Sequence, residues 1–431
     1  MREWTHGVLA DVADIRPSNV DKLSIQGEQP VRLCNYMDVY ANERINQDLP
    51  FMDATATGAE IARFRVEDGD VMLTKDSETP DDIGIPAVVA DALPDLVCGY
   101  HLALLKPRTE KIDPKFLAKQ LASGEAASYF ARVANGSTRY GLSYNAIART
   151  PLRWPALFQQ RRIGEILFTL DEAIEQTEAL IAKTQAIKAG LMHDVFTRGV
   201  TANGELRLPR EEALQLYKDS PLGWIPKEWD AERCATLTDL ITVGIVIRPV
   251  QYYVAEGVPA FRSANIREDG ICPNDLVFIS PQSNALLAKS RVQAGDVLSV
   301  RTGYPGTSAV VSPEFAGANC VDILISRPSG RLRSHYLAAW INSSFGKEQV
   351  LRKQGGLAQQ HFNVGDLRDL LVALPSLAEQ DEICARIAAA SAKLTEENEL
   401  AKMYTNLKHG LMHDLLTGRV PVPLPAPAVE A

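Results

Sequence analysis

The run Gly190-Leu191-Met192-His193-Asp194 returns as Gly410-Leu411-Met412-His413-Asp414, 220 residues later in a chain of 431. The echo extends upstream, because Pro155, Leu157, Gln160 and Ile163 recur as Pro375, Leu377, Gln380 and Ile383 at the same offset. Further back the offset drifts: Gly69-Asp70 matches Gly295-Asp296, and Glu3-Trp4 matches Glu228-Trp229. Such drift marks loops of unequal length inside one duplicated unit. A period this long is far outside the roughly 20–50 residues of solenoid repeats, so a whole domain and its connector are repeated once.

Around the quoted runs the apolar spacing is helical. Ile163, Ile166, Leu167, Leu170, Ile174, Ile181, Ile187 and Leu191 are answered by Ile383, Ile387, Leu394, Leu400, Leu407 and Leu411, and proline is absent beyond the first turn. Each segment predicts a helix of about 40 residues, roughly 60 Å long, stopped near Gly199 or Gly418. A rod of that length needs a partner along it, and the other copy offers an equally apolar stripe in antiparallel pairing. Ahead of each rod, short β-like segments such as Val71-Met72-Leu73 and Val297-Leu298-Ser299-Val300 are broken by Gly, Pro and Asn.

The expected class is therefore α+β: two pseudo-symmetric mixed α/β domains separated by a pair of long helices forming an antiparallel coiled coil. The expected boundaries are a first domain at 1–155, a first helix at 156–198, a linker at 199–221, a second domain at 222–375, a second helix at 376–418 and a disordered tail at 419–431. Length allows a proper core in each domain. No apolar run approaches the roughly 18–20 residues of a spanning helix, the N-terminus reads as no signal peptide, and the six cysteines form no CxxC pair. The expectation is a cytoplasmic chain with reduced thiols and no membrane.

The net charge of −9 hides an uneven distribution. Residues 129–163 hold no acid, while Arg132, Arg139, Arg149, Arg153, Arg161 and Arg162 interleave with Tyr129, Tyr140, Tyr144 and Trp154. In the second copy, residues 326–360 carry Glu348 as their one acid among Arg327, Arg331, Arg333, Lys347, Arg352 and Lys353. A single charge run usually marks a wetted face; a basic run in each half favours a nucleic-acid surface.

Catalytic and cofactor motifs do not assemble. Asp113-Pro114-Lys115-Phe116 lacks the second proline of an amino-methyltransferase motif and reads as a helix N-cap. Asp171-Glu172-Ala173-Ile174 lies mid-helix, and Gly303-Tyr304-Pro305-Gly306-Thr307-Ser308 lacks the lysine of a phosphate cradle. His409 and His413 have a metal-ligand spacing, but Ala189 stands at the matching place in the first copy and no third ligand is evident.

Taken with Gly223-Trp224-Ile225-Pro226-Lys227-Glu228-Trp229, Ala294-Gly295-Asp296-Val297-Leu298, Leu374-Pro375-Ser376-Leu377-Ala378-Glu379-Gln380 and the helix end His413-Asp414-Leu415-Leu416-Thr417-Gly418, the chain resembles the specificity (S) subunit of Type I restriction-modification systems over about residues 1–420. The first copy departs at Phe158-Gln159-Gln160, where the second has Ala378-Glu379-Gln380. The resemblance implies a non-catalytic recognition subunit of a DNA methyltransferase/endonuclease complex. Each target-recognition domain would read one half of a bipartite site on double-stranded DNA. The helices would set the spacing and dock two methylation subunits, with restriction subunits joining through those. It implies no cofactor in this chain, with S-adenosylmethionine, ATP and Mg on partner subunits.

Base readout calls for Arg or Lys at guanine and Asn or Gln at adenine, on loops able to enter a groove. The expected DNA-binding residues are Lys75, Arg139 and Tyr140 in the first domain, and Arg262, Arg301, Tyr304, Gln354, Gln359, Gln360 and His361 in the second. Matched loops with different content suit two different half-sites. His193, Asp194, His413 and Asp414 are the expected partner contacts. The competing readings are a coiled-coil scaffold whose domains bind protein, and an autonomous DNA-modifying enzyme, which the missing motifs disfavour.

Overall fold

The computed structural model describes residues 4–91, 93–352 and 361–422. It divides into two compact units: Met1–Glu178 with Glu399–Ala431, and Ala179–Asn398. Each unit therefore holds one mixed α/β domain together with part of both long helices, which run from Leu157 to Thr197 and from Leu377 to Leu416.

In the first unit a five-stranded sheet has the order Ala13–Pro17, Leu102–Pro107, Val71–Thr74, Pro86–Val89, Arg44–Ile45. In the second, four strands follow the same plan: Thr238–Val243, Ile323–Pro328, Val297–Val300, Ser308–Val310. A parallel pair accompanies each, Gln29–Cys34 with Leu96–Cys98 and Val258–Phe261 with Asn319–Cys320. The duplicated Gly-Asp opens the central strand by the same device twice. The glycine takes a left-handed φ (+83° at Gly69, +86° at Gly295), and the buried aspartate turns back to accept from the backbone N–H three residues earlier, at 2.8 Å in both units. A cation from the next strand completes it, Lys106 on Asp70 and Arg327 on Asp296.

The sequence motif Pro-x-Leu-x-x-Gln resolves into a clamp. Gln160 accepts from Asp113 N (2.8 Å) and donates to Lys111 O and Pro155 O (3.0 and 2.9 Å). Gln380 accepts from Arg333 N (2.8 Å) and donates to Arg331 O and Pro375 O (3.0 Å each). Both side chains are buried, and each amide satisfies three backbone groups at a partly or fully buried site. It fixes the angle at which each helix leaves its domain. Asp113 caps its helix by accepting from Phe116 N at 3.0 Å.

Within the first unit, Ile163, Leu167 and Phe168 near the start of one long helix share a core with Leu415 and Leu416 at the end of the other. Within the second, Val195 and Phe196 share a core with Ile383 and Ile387. The helices are thus antiparallel in each unit, and each such fully buried side chain stabilises by roughly 1.5–3 kcal/mol. Two residues of the expected apolar stripe behave differently: Ile187 and Leu407, at matched positions, are 58% and 48% exposed. Each helix ends at a left-handed glycine pressed against the tryptophan that opens a domain. A Cβ on Gly199 would lie 2.4 Å from Trp229, and one on Gly418 2.6 Å from Trp4.

The two units lock these junctions with different chemistry. In the second, Glu379 accepts from Trp229 Nε1 (3.0 Å), Val200 N (2.7 Å) and Arg207 (3.2 Å to Nη2). Residues 199–221 are consequently packed rather than slack: Ala213 is buried, and Tyr217–Lys218 pairs with Ile225–Pro226. The first copy has Gln159 in place of Glu379. Twelve residues further along that helix, Lys119 and Lys408 meet Glu43 and Asp171, with Lys119–Asp171 at 2.5 Å and Lys408–Asp171 at 2.8 Å. Burial pushes the Glu43 carboxyl up, but the two lysines outweigh it and bring its pKa down to about 2. The second copy carries Ala339 and Ser391 at the places of Lys119 and Asp171. Beyond the last helix, Val422 is buried in the first core.

Candidate nucleic-acid interface

In the second unit all four residues of strand Val297–Val300 are buried, so Arg301 is the first side chain able to leave the sheet. Its Nη1 pairs with Asp322, its Nη2 donates to Asn363 Oδ1 at 3.1 Å, and its carbonyl accepts from Phe362 N at 2.9 Å. Asp322 holds a left-handed φ of +53° without being glycine, a conformation that surrounding contacts have to maintain. Tyr304 stands 83% exposed on the turn that follows. His361 is exposed beside the buried Phe362. Arg301, Tyr304 and His361 are therefore gathered about one strand end. Arg262 follows the strand that pairs with Asn319–Cys320, and its Nη2 donates to Asp275 O at 2.5 Å. Gln354, Gln359 and Gln360 lie outside the described residues.

The same frame stands in the first unit. Lys75 follows strand Val71–Thr74, and its carbonyl accepts from Leu142 N at 2.8 Å. Leu142 and Phe362 are again 220 apart. Tyr140 lies on a short strand paired with Ser77, and Arg139 is exposed at the hairpin tip that precedes it. What surrounds Lys75 differs. Its ammonium pairs with Asp76 (2.9 Å), which also bonds His101 Nδ1 (2.9 Å). His101 stacks near Tyr100 (3.7 Å between centroids) and Tyr36 (6.5 Å), and Tyr36 stacks on Tyr40 (5.4 Å). Burial raises the Tyr36 phenol above its ordinary value.

Sequence reasoning missed Tyr36, Tyr40, Tyr100, His101, Asp322 and Asn363. The i,i+4 spacing of Tyr36 and Tyr40 was a usable signal; nothing in the sequence ties Asp322 to Arg301. Both principal cations already hold carboxylates, so contact with DNA would be an exchange of partners rather than the filling of an empty site.

At the helix ends, His193 is exposed and stacks on Phe345 at 5.8 Å, and Asp194 pairs with Arg198 at 3.5 Å. His193 and Asp194 line a groove of ≈ 530 Å³ with Arg210 and Trp224 in the second unit. His413 is exposed, 3.4 Å from Arg419, and lines a cavity of ≈ 580 Å³ with Lys408, His409 and Met412 in the first. Asp414 accepts from Val420 N at 3.2 Å through its backbone carbonyl. Among the described residues no helix is long and apolar enough to cross a membrane.

No protein-family profile matches the chain. It is 22% identical over 371 residues to the MjaX type I restriction enzyme specificity subunit of Methanocaldococcus jannaschii, covering 84% of this chain and 81% of that one. It is 24% identical over 302 residues to the EcoBI specificity subunit of Escherichia coli, covering 65% of this chain and 60% of that one. The fold matches the crystal structure of a Type I restriction-modification S subunit from M. genitalium with a TM-score of 0.60 at 13% identity, over 96% of each chain. It also matches a chain from a structure of type I R-M complex assembly and conformational transition, with a TM-score of 0.54 at 18% identity over 97% and 99%. The chain thus resembles the specificity subunits of Type I restriction-modification systems, in sequence over most of its length and in fold over nearly all of it.

Proposed function

We propose that this chain is the DNA sequence-specificity subunit of a Type I restriction-modification complex. Each α/β domain reads one half of a bipartite duplex site, and the chain itself performs no chemistry. The observation that carries this reading is the matched frame with unmatched content: one backbone bond, Leu142 N to Lys75 O and Phe362 N to Arg301 O, holds a lysine among tyrosines and a histidine in one unit and an arginine beside an exposed tyrosine in the other. Reading two different half-sites requires that combination.

In this reading the paired helices fix the distance between readers, which for two modules on one DNA face is about one helical turn, roughly 34–36 Å. The matched exposed residues Ile187 and Leu407, with His193 and His413 a short way along, suit two copies of one partner, the methylation subunit. S-adenosylmethionine, ATP and Mg belong to those partners and to the restriction subunits.

Gel-shift titration of the full chain, with and without methylation subunits, against bipartite duplexes over a salt series tests this. Binding that selects one bipartite sequence and weakens steeply with salt is expected, because phosphate contacts release counterions. Salt-insensitive or sequence-indifferent binding overturns it. Methylome sequencing of the host gives the motif directly.

A further inference from the structure

The second unit carries an aliphatic loop with no partner among the described residues. Ile247 is 78% exposed, Val250 72% and Val246 49%, in a stretch, residues 244–255, without a single acid. Arg248 stands exposed between the two most exposed of them with φ +44°, outside glycine's territory. The loop is rooted at the site already described: Asp322 N donates to Ile245 O at 3.1 Å, and the carboxylate of that same Asp322 holds Arg301.

The first unit has a partial counterpart, in which Asp21 also stands beside the cation. Leu23 and Ile25 are 58% and 53% exposed beside the exposed Lys22, and Tyr100 N donates to Val20 O at 3.0 Å, next to His101. Val20 and Ile245 are equivalent, since each bridges the parallel pair, at Gly99 and Val321. Isolated exposed aliphatics are ordinary. An aliphatic pair with a cation next to it, rooted twice at the same place beside the two candidate reading sites, calls for an apolar target next to phosphate.

On a base edge facing a groove the aliphatic group is the 5-methyl of thymine. We propose that residues 246–252 form a base-reading element in which Ile247 and Val250 pack on thymine methyls of duplex DNA while Arg248 meets the adjacent phosphate. The proposal rests on the DNA-reading function above and names part of what that site recognises.

The test uses the full chain assembled with its methylation subunits, selecting bound duplexes from a random-sequence pool, with wild type, Ile247→Ser and Val250→Ser compared. Both changes are at exposed positions, and an unchanged melting temperature checks the fold. The wild type is expected to require thymine at one or two positions of one half-site, and the variants to lose that preference while keeping the other half-site. Replacing that thymine by deoxyuridine removes only the methyl and should weaken the wild type about 3–5-fold, the transfer value of one such group, leaving the variants unaffected. A wild-type motif retained by both variants, or equal binding of thymine and deoxyuridine, overturns the loop's role and leaves the general reading standing. A wild type that selects no sequence overturns both. Variants that alter permanganate reactivity of unstacked bases without a methyl effect would show a wedge between base steps and also overturn the methyl contact.

Discussion

The two units tie their domain to the helices with ion pairs at different places. In the first, two lysines and two carboxylates drawn from residues 43, 119, 171 and 408 are sequestered between the domain and both helices. In the second, Ala339 and Ser391 stand in place of Lys119 and Asp171 while Lys188 keeps the place of Lys408, and the ionic contact sits instead at the helix entry, where Glu379 grips a tryptophan, a backbone amide and Arg207. The glutamine clamp, the Gly-Asp turn and the tryptophan-on-glycine stop are common to both. Duplication kept whatever sets geometry, while the ionic locks, which geometry does not require, went separate ways.

That contrast breaks most readily at Asp171. Asp171→Ala leaves the buried Lys119, 3% exposed, with Glu43 alone, and losing a charged partner of this kind should cost about 1.5–3 kcal/mol. Ser391→Ala at the matched site should cost under about 1 kcal/mol; denaturant unfolding of both variants checks this, and equal losses would erase the distinction. Glu379→Gln removes the charged acceptor of the second unit and should cost about 1.5–3 kcal/mol, whereas Gln159→Glu, with no arginine described against it, should not stabilise the first unit.

At the reading sites, Arg301→Ala should cost roughly 1–3 kcal/mol of DNA binding and relax choice at one position of one half-site. Lys75→Ala should do so only in the other half-site. Uniform weakening across sequences would assign either residue to phosphate.

The smallest effect is in acid. With a folded pKa of about 2 against an ordinary value near 4.5, Glu43 stabilises the first junction fully above pH 4.5 and loses that contribution as pH falls toward 2. Hydrogen exchange of residues 157–178 should lose protection across that window, and Glu43→Gln should flatten the dependence.

Much of this architecture was legible. The constant offset of 220 fixed the repeat, the period fixed the helices, and Asp113 read correctly as a cap because capping is local. The four-residue lock was not legible, since its members are scattered over more than 350 positions and each looks like an ordinary surface charge. Gln159 against Glu379 was visible as a difference, but its meaning depends on Arg207, a linker residue with no counterpart to compare. Ile187 and Leu407 fit helical spacing and still face outward, because periodicity counts apolar residues without knowing which neighbour covers them.

The first core takes Leu415, Leu416 and Val422 from the far end of the chain, whereas the second is built from one unbroken stretch. On a ribosome adding roughly 5–20 residues per second, Leu167 and Phe168 emerge on the order of 12–50 s before the segment that covers them. The unit that is begun first therefore completes its core last, and the nascent chain spends that interval with an apolar seam uncovered.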